Sequence, residues 1–298
     1  MSVERSGIVV GYDGSPGAQV ALDWAAEAAR RHGEPLLVVH ALEANPGSAS
    51  PGFSAMPATA RFAQGARTVV DEALARVAPR LGQEQVSAQV VQTSASAGLV
   101  DASEKAVMVV TGCRGRSRLA AGLLGSVSYA VTAHAQCPAV VVRGEQPGQP
   151  DPAHKVVVGV DDSGASERAL DLAAGMAAAA GASLHVVTVG SLASPESWAY
   201  VETSAAGSKH THAAAEELEQ TTERAAARAR RVHPDLPVEA EVLFGHPGLV
   251  LAELAQQAGL LVVGSRGRGG FTGLLLGSVS HRVVHEASCA VMVVHADD

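Results

Sequence analysis

The chain has 298 residues, of which 47% are hydrophobic and 17% charged, and its formal net charge is −8. That length and composition predict about two globular domains with real cores. The acidic balance argues against nucleic acid as a partner, since gripping a phosphate backbone takes many cationic contacts, and without a run of 18 strongly apolar residues no membrane span is expected.

The N-terminus runs directly into an apolar strand near residues 7–12, with no secretory leader before it, so a cytoplasmic protein is expected. A helix near 16–32 and a strand near 35–41 follow. The stretch Asn45–Ala58, rich in Pro, Gly, Ser and Ala, reads as a flap. Then come a helix near 60–80, a strand near 86–92, a helix near 96–105, a strand near 107–112, a helix near 126–135 and a strand near 138–143. Residues 144–154, GEQPGQPDPAH, carry three prolines and two glycines and read as a linker. The same order then recurs. Strands are expected near 155–160, 183–189, 238–244, 260–264 and 290–295, and helices near 164–180, 210–232, 247–257 and 278–287. Domains are therefore expected at 1–143 and 155–298.

The strands are continuous Val/Ile/Leu runs rather than alternating ones, which predicts a sheet covered on both faces, hence parallel. Right-handed crossovers then give an α/β fold of two tandem doubly wound, Rossmann-like domains, each with a five-stranded parallel sheet. Ligands bind such sheets beyond the carboxyl ends of the strands. Cys137 and Cys289 open the last strand of each copy and read as buried core thiols. With Cys113 they make an odd, sparse set rather than a disulfide framework.

The repeat is sharpest at Gly112–Ser128 and Gly264–Ser280, where ten of 17 positions are identical at an offset of 152. Each copy holds G-x2-G-x9-G-S: Gly112, Gly115, Gly125 and Ser126, then Gly264, Gly267, Gly277 and Ser278. Gly112 and Gly264 are expected to end a strand, and Gly115 and Gly267 to permit a tight turn. Gly125-Ser126 and Gly277-Ser278 open a helix whose first amides lack intrahelical partners. The helix dipole adds positive potential there, so Ser126 and Ser278 are expected to cap the helix and also meet a phosphate. Val127, Ser128, Val279 and Ser280 complete the first turns. Arg114, Arg116, Arg266 and Arg268 add local positive charge. Asp13 and Asp161, after the first strand of each copy, suit ribose hydroxyls or an adenine amino group, with a helix N-cap or an Asx-turn as the plainer alternative. Ala41 and Val189, ending the second strand, bring backbone groups that could read an adenine edge. A duplicated nucleotide site is the reading. There is no G-x4-G-K-[ST], so this is not a P-loop. His281 and His285 have a metal-compatible spacing but no third ligand in view.

These features, with the closing CPAVVVR of Cys137–Arg143, resemble the universal stress protein family, in its nucleotide-binding subgroup, over nearly the whole chain. The resemblance implies ATP at the strand ends and pairing through the final strands; the phosphates of such a ligand could themselves recruit Mg²⁺. That pairing could occur within one chain, near Val140 and Val293, or in a homodimer. It implies that Asp13 and Asp161 contact the nucleoside, Ala41 and Val189 the adenine, and the Gly/Ser motif the ribose and phosphates. Ala290 departs from the pattern where the first copy has Pro138. No carboxylate or histidine recurs at the phosphate end of both copies. An ATP-binding stress-response regulator is therefore expected. A slow ATPase or nucleotide hydrolase is the enzymatic alternative, and a partner-binding module that has lost its ligand is the third.

Overall fold

A computed structural model describes residues 7–42, 58–113, 124–144, 148–190, 205–268 and 275–296. The chain divides into two compact units, Met1–Gln146 and Pro147–Asp298. The first runs β1 (Ile8–Gly11), α1 (Pro16–His32), β2 (Leu36–Ala41), α2 (Ala58–Leu81), β3 (Val86–Val91), α3 (Ala95–Ser103), β4 (Met108–Gly112), α4 (Ser126–His134) and β5 (Ala139–Val142). The second runs β6 (Lys155–Gly159), α5 (Gly164–Ala180), β7 (Leu184–Gly190), α6 (Ala205–Val232), β8 (Val238–Phe244), α7 (Pro247–Leu254), β9 (Ala258–Gly264), α8 (Ser278–Glu286) and β10 (Ala290–Val294).

The strands of the first unit lie in the order β3-β2-β1-β4-β5, and those of the second in the order β8-β7-β6-β9-β10. Every neighbouring pair within a unit is parallel. From its first strand each unit steps outward to one edge, then jumps back to the other side of that strand. The reversal leaves a crevice at the carboxyl ends of β1 and β4, and of β6 and β9, where the flanking loops diverge.

Local chemistry explains the elements. Ile8, Val9, Val10, Val109, Val110 and Val140 are fully buried, as strands covered on both faces require. Ser15 and Ser163 cap α1 and α5 by accepting from Ala18 N and Ser166 N, each at 3.3 Å. Gly33 and Gly181 stop those helices in the left-handed conformation, at φ 66° and 63°. α1 packs on α2 and α3 on α4, and the second unit repeats this with α5 on α6 and α7 on α8. Beneath α3 and α4 the core joins Val9, Val39, Leu99, Val109, Val131 and Cys137. Burial pushes the Cys137 and Cys289 thiols up to about 12, so both stay protonated.

Several boundaries depart from the sequence expectation: α6 starts at Ala205 rather than 210, α3 ends at Ser103 rather than 105, and a third departure has a visible cause. The helix expected to reach 257 ends at Leu254 in a short 3-10 turn, Ala255–Gln257, and β9 starts at Ala258 rather than 260. Gly259 explains the early strand. Its Cα faces the backbone of 149–150, and an added Cβ would lie 2.5 Å from Pro150 N. Residues 148–154 are themselves ordered against this unit. Asp151 and His154 form an antiparallel bridge, and the Asp151 carboxylate accepts from Ala153 N and His154 N at 2.8 Å each.

Candidate functional site

In the second unit a cavity of about 510 Å³ lies at the crevice between β6 and β9. One wall is apolar, formed by Val160, Val187, Val189, Pro247, Leu251 and Val263. The rest of the lining is polar or glycine-rich. It consists of Asp161, Ser166, the Arg266–Arg268 turn and the start of α8 at Gly277–Ser280.

Glycines at two strand ends make room for this arrangement. A Cβ on Gly159 would stand 2.9 Å from Leu251 Cδ1, and one on Gly11 would stand 2.8 Å from Leu99 Cδ1. Gly264 and Gly112 serve helix packing. A Cβ on Gly264 would lie 2.9 Å from Ala165 Cβ, and one on Gly112 would lie 2.5 Å from Gly17 O. The first turn of α1 or α5 thus sits directly on the strand that leads to the glycine turn.

That turn closes identically in both units. Cys113 N donates to Val142 O at 2.9 Å and Gly125 N to Cys113 O at 2.9 Å. Likewise Ser265 N donates to Val294 O and Gly277 N to Ser265 O, both at 2.7 Å. The closure corrects one expectation. The N-caps of α4 and α8 are Gly125 and Gly277, extended at φ −69° and −76°, with no side-chain cap. Ser126 and Ser278 are the first helical residues, so their hydroxyls are not used in capping. The fastening falls to the next serines. Ser128 Oγ donates to Gly112 O at 2.6 Å, and Ser280 Oγ to Ser265 O at 2.7 Å. Both are buried. A helix end capped by glycine leaves its first amides to whatever fills the cavity.

Asp161 binds the two halves of the site together. Its Oδ1 accepts from Ser163 N at 3.2 Å and from Ser163 Oγ at 2.6 Å, an Asx-turn that holds the start of α5. Its Oδ2 accepts from Arg268 N, across the cavity mouth, at 3.0 Å. Gly267 stands so near that oxygen that a Cβ would collide with it. In the first unit Asp13 Oδ1 accepts from Ser15 N at 3.0 Å in the same kind of turn. The Arg268 guanidinium lies 3.6 Å from Glu217 of α6.

Asp161, Val189, Gly264, Gly267, Gly277, Ser278, Val279 and Ser280 all line the cavity except where packing claims them, as with the Gly264 Cα face. In the first unit Asp13, Gly112, Gly125, Ser126 and Ser128 take the matching places in the turn and helix start. Ala41 is half-buried beside Val91 at the end of β2, and Val127 packs on the α3–α4 core. Gly115 with Arg114 and Arg116, most of Asn45–Ala58, and residues 191–204 lie outside the described residues. His281 and His285 stack with ring centroids 4.5 Å apart. Sequence reasoning missed Val187, Pro247, Leu251 and Val263. Once Val189 is placed, strand alternation puts Val187 on the same face, and Leu251 follows Pro247 by one helical turn.

Comparison with known proteins agrees with this architecture. The universal stress protein family model matches residues 5–143 and 152–295. Two universal stress proteins of Mycobacterium tuberculosis are 36% and 35% identical, over 96% and 97% of this chain and 95% and 97% of their own. One from Mycolicibacterium smegmatis is 36% identical over 98% of both chains. Among solved structures, a universal stress protein from Archaeoglobus fulgidus superposes with a TM-score of 0.66 at 19% identity, covering 99% of this chain and 100% of its own. Two family matches in tandem, full-length relatives and the doubly wound sheet in each unit together establish that this chain belongs to the universal stress protein family.

Proposed function

We propose that this chain is a stress-response regulator that binds ATP, with one nucleotide site in each unit. The observation that carries this reading is the cavity of the second unit. It combines apolar side chains with a turn and helix start rich in backbone donors, the division of labour a nucleotide asks of a protein. The glycine turn fits such a ligand, because Gly267 has no space for a side chain beside Asp161. Val187, Val189 and Leu251 would hold the base, and Asp161 the sugar. The amides and hydroxyl at Ser278–Ser280, with Arg266 and Arg268, would hold the phosphates. Bound ATP would supply charge and contact, with Mg²⁺ recruited through its own oxygens.

Binding is favoured over hydrolysis because the one carboxylate lining the cavity among the described residues, Asp161, is tied into the Ser163 turn and to Arg268 N, at the place proposed for the sugar rather than for an attacking water. The test is nucleotide content. Denaturing the purified chain and separating the released nucleotides should recover adenine nucleotide, and titration with ATP should saturate at one equivalent per unit. A chain that carries none and binds none overturns the proposal. Turnover in proportion to protein, abolished by Gly267→Ala, would transfer the assignment to a hydrolase.

A further inference from the structure

The long helix of the second unit reaches two loops at the cavity, the turn after β6 and the glycine turn, and its counterpart in the first unit has different residues at the positions that do so. On α6, Arg224 Nη2 lies 3.1 Å from Asp162 Oδ2, in the turn after β6. Seven residues earlier on the same helix, Glu217 Oε1 lies 3.6 Å from Arg268 Nη1 of the glycine turn. Two turns of one helix face thus address the two loops that Asp161 joins. Arg268 is held at both ends by carboxylates, its backbone amide by Asp161 and its guanidinium by Glu217.

The helices of the two units align through a shared ion pair. Arg76 meets Asp23 at 2.6 Å, and Arg228 meets Asp171 at 2.6 Å. In that alignment the first unit has Gly65 in place of Glu217, Glu72 in place of Arg224 and Gly14 in place of Asp162. Gly65 has open space beside it. Among the described residues, this reach from helix to site is seen in the second unit.

We propose that Glu217 is a built-in counter-anion that sets the phosphate-length preference of the second site and couples its occupancy to α6. This rests on the nucleotide reading above. Arg268 can satisfy Glu217 or the outer phosphates of a nucleotide, and both are anions competing for one guanidinium. A nucleotide with a polyphosphate tail takes Arg268 from Glu217 and frees α6 from the glycine turn. A monophosphate nucleotide, held by the amides of α8, leaves the pair in place. At the position of Glu217 the first unit has Gly65, which cannot act as such a competitor.

The experiment is calorimetric titration of the full chain with ATP and with AMP, for wild type and Glu217→Gln, paired with deuterium exchange over residues 214–224. Both ion-pair partners are exposed, so the variant is expected to fold as wild type does. In Glu217→Gln one of the two ATP sites should tighten by roughly threefold, the scale of a screened charge a few ångströms away, while AMP binding stays unchanged. In the wild type, ATP but not AMP should raise exchange at 214–224, and the variant should exchange fast there without ligand. ATP affinity unmoved in the variant, or ATP and AMP shifted alike, overturns the role of Glu217. Failure of the wild type to bind either nucleotide overturns the nucleotide reading itself, before any variant is compared.

Discussion

At the residue scale, identical sequence signals conceal different physical causes. Gly112 and Gly264 are motif residues because helix backbone or Cβ lies against their Cα, whereas Gly267 is one because of the Asp161 carboxylate. Spacing marked all three, but only coordinates could separate the reasons, since each contact joins segments more than 90 residues apart in sequence. The first turn gives a testable contrast. Gly14 adopts φ 80°, and its counterpart Asp162 adopts φ 66° with a side chain in place. Asp tolerates that region better than most residues, and Arg224 holds its carboxylate. Gly14→Ala has no such support and should destabilise the first unit by about 1–2 kcal/mol. Urea unfolding followed by circular dichroism would show it as a lower midpoint at unchanged slope. An unchanged midpoint would mean that the turn relaxes.

At the element scale, helix starts and strand faces were read unequally well. The hydrophobic runs predicted parallel strands in the right order, because buried strands leave a composition signal that survives without partners. The caps of α4 and α8 were misplaced by one residue. A serine after a glycine looks like a cap, yet the Gly125 and Gly277 amides are committed to the carbonyls of Cys113 and Ser265. β7 contains a group that sequence periodicity could not interpret. His185 is 2% exposed, with Nε2 2.9 Å from Glu241 and Nδ1 3.2 Å from Lys155 Nζ. Burial, and then the Lys155 charge, holds its pKa below the ordinary histidine value, against the opposing pull of Glu239 and Glu241. Unfolded, it titrates near about 6.5. Below that pH the unfolded chain takes a proton that the folded chain refuses. The stability contributed by neutral His185 is therefore complete above that value and falls as pH drops through it. Leu37 stands at the matching place in the first unit. His185→Leu should flatten the loss of stability between about pH 7.5 and 5.5, by at most about 1.4 kcal/mol per pH unit. Equal slopes in wild type and variant would remove His185 from the acid response.

At the scale of the whole molecule, the duplication is what made the site legible. One glycine-rich turn in a chain with 31 glycines says little, but two in register are the ground for proposing two sites, and in each unit the strand that leads to the turn adjoins the same switch of strand order. Hidden from the sequence was the apolar wall, because Val187, Pro247, Leu251 and Val263 come from separate elements and carry no motif. The duplication also lets one substitution report on one site. Gly267→Ala pushes a methyl group into Asp161 Oδ2 and must lift the turn away, breaking the bond from Arg268 N. Gly267 is in an exposed turn, so the cost to folding should stay below about 1 kcal/mol. On the proposed reading the cost to binding is larger, because the amides assigned to the phosphates move as a group. A displacement of about 1 Å at such a cradle is worth roughly a hundredfold in a positioned interaction. The variant should therefore take up ATP at one site with wild-type affinity, while the other weakens below detection by titration. Its thermal stabilisation by ATP should shrink to that of a single site, about 2.7 kcal/mol at a hundredfold excess over Kd. Full occupancy of both sites in the folded variant would show that the turn does not hold the phosphates, and would leave the apolar slot as the seat of whatever affinity remains.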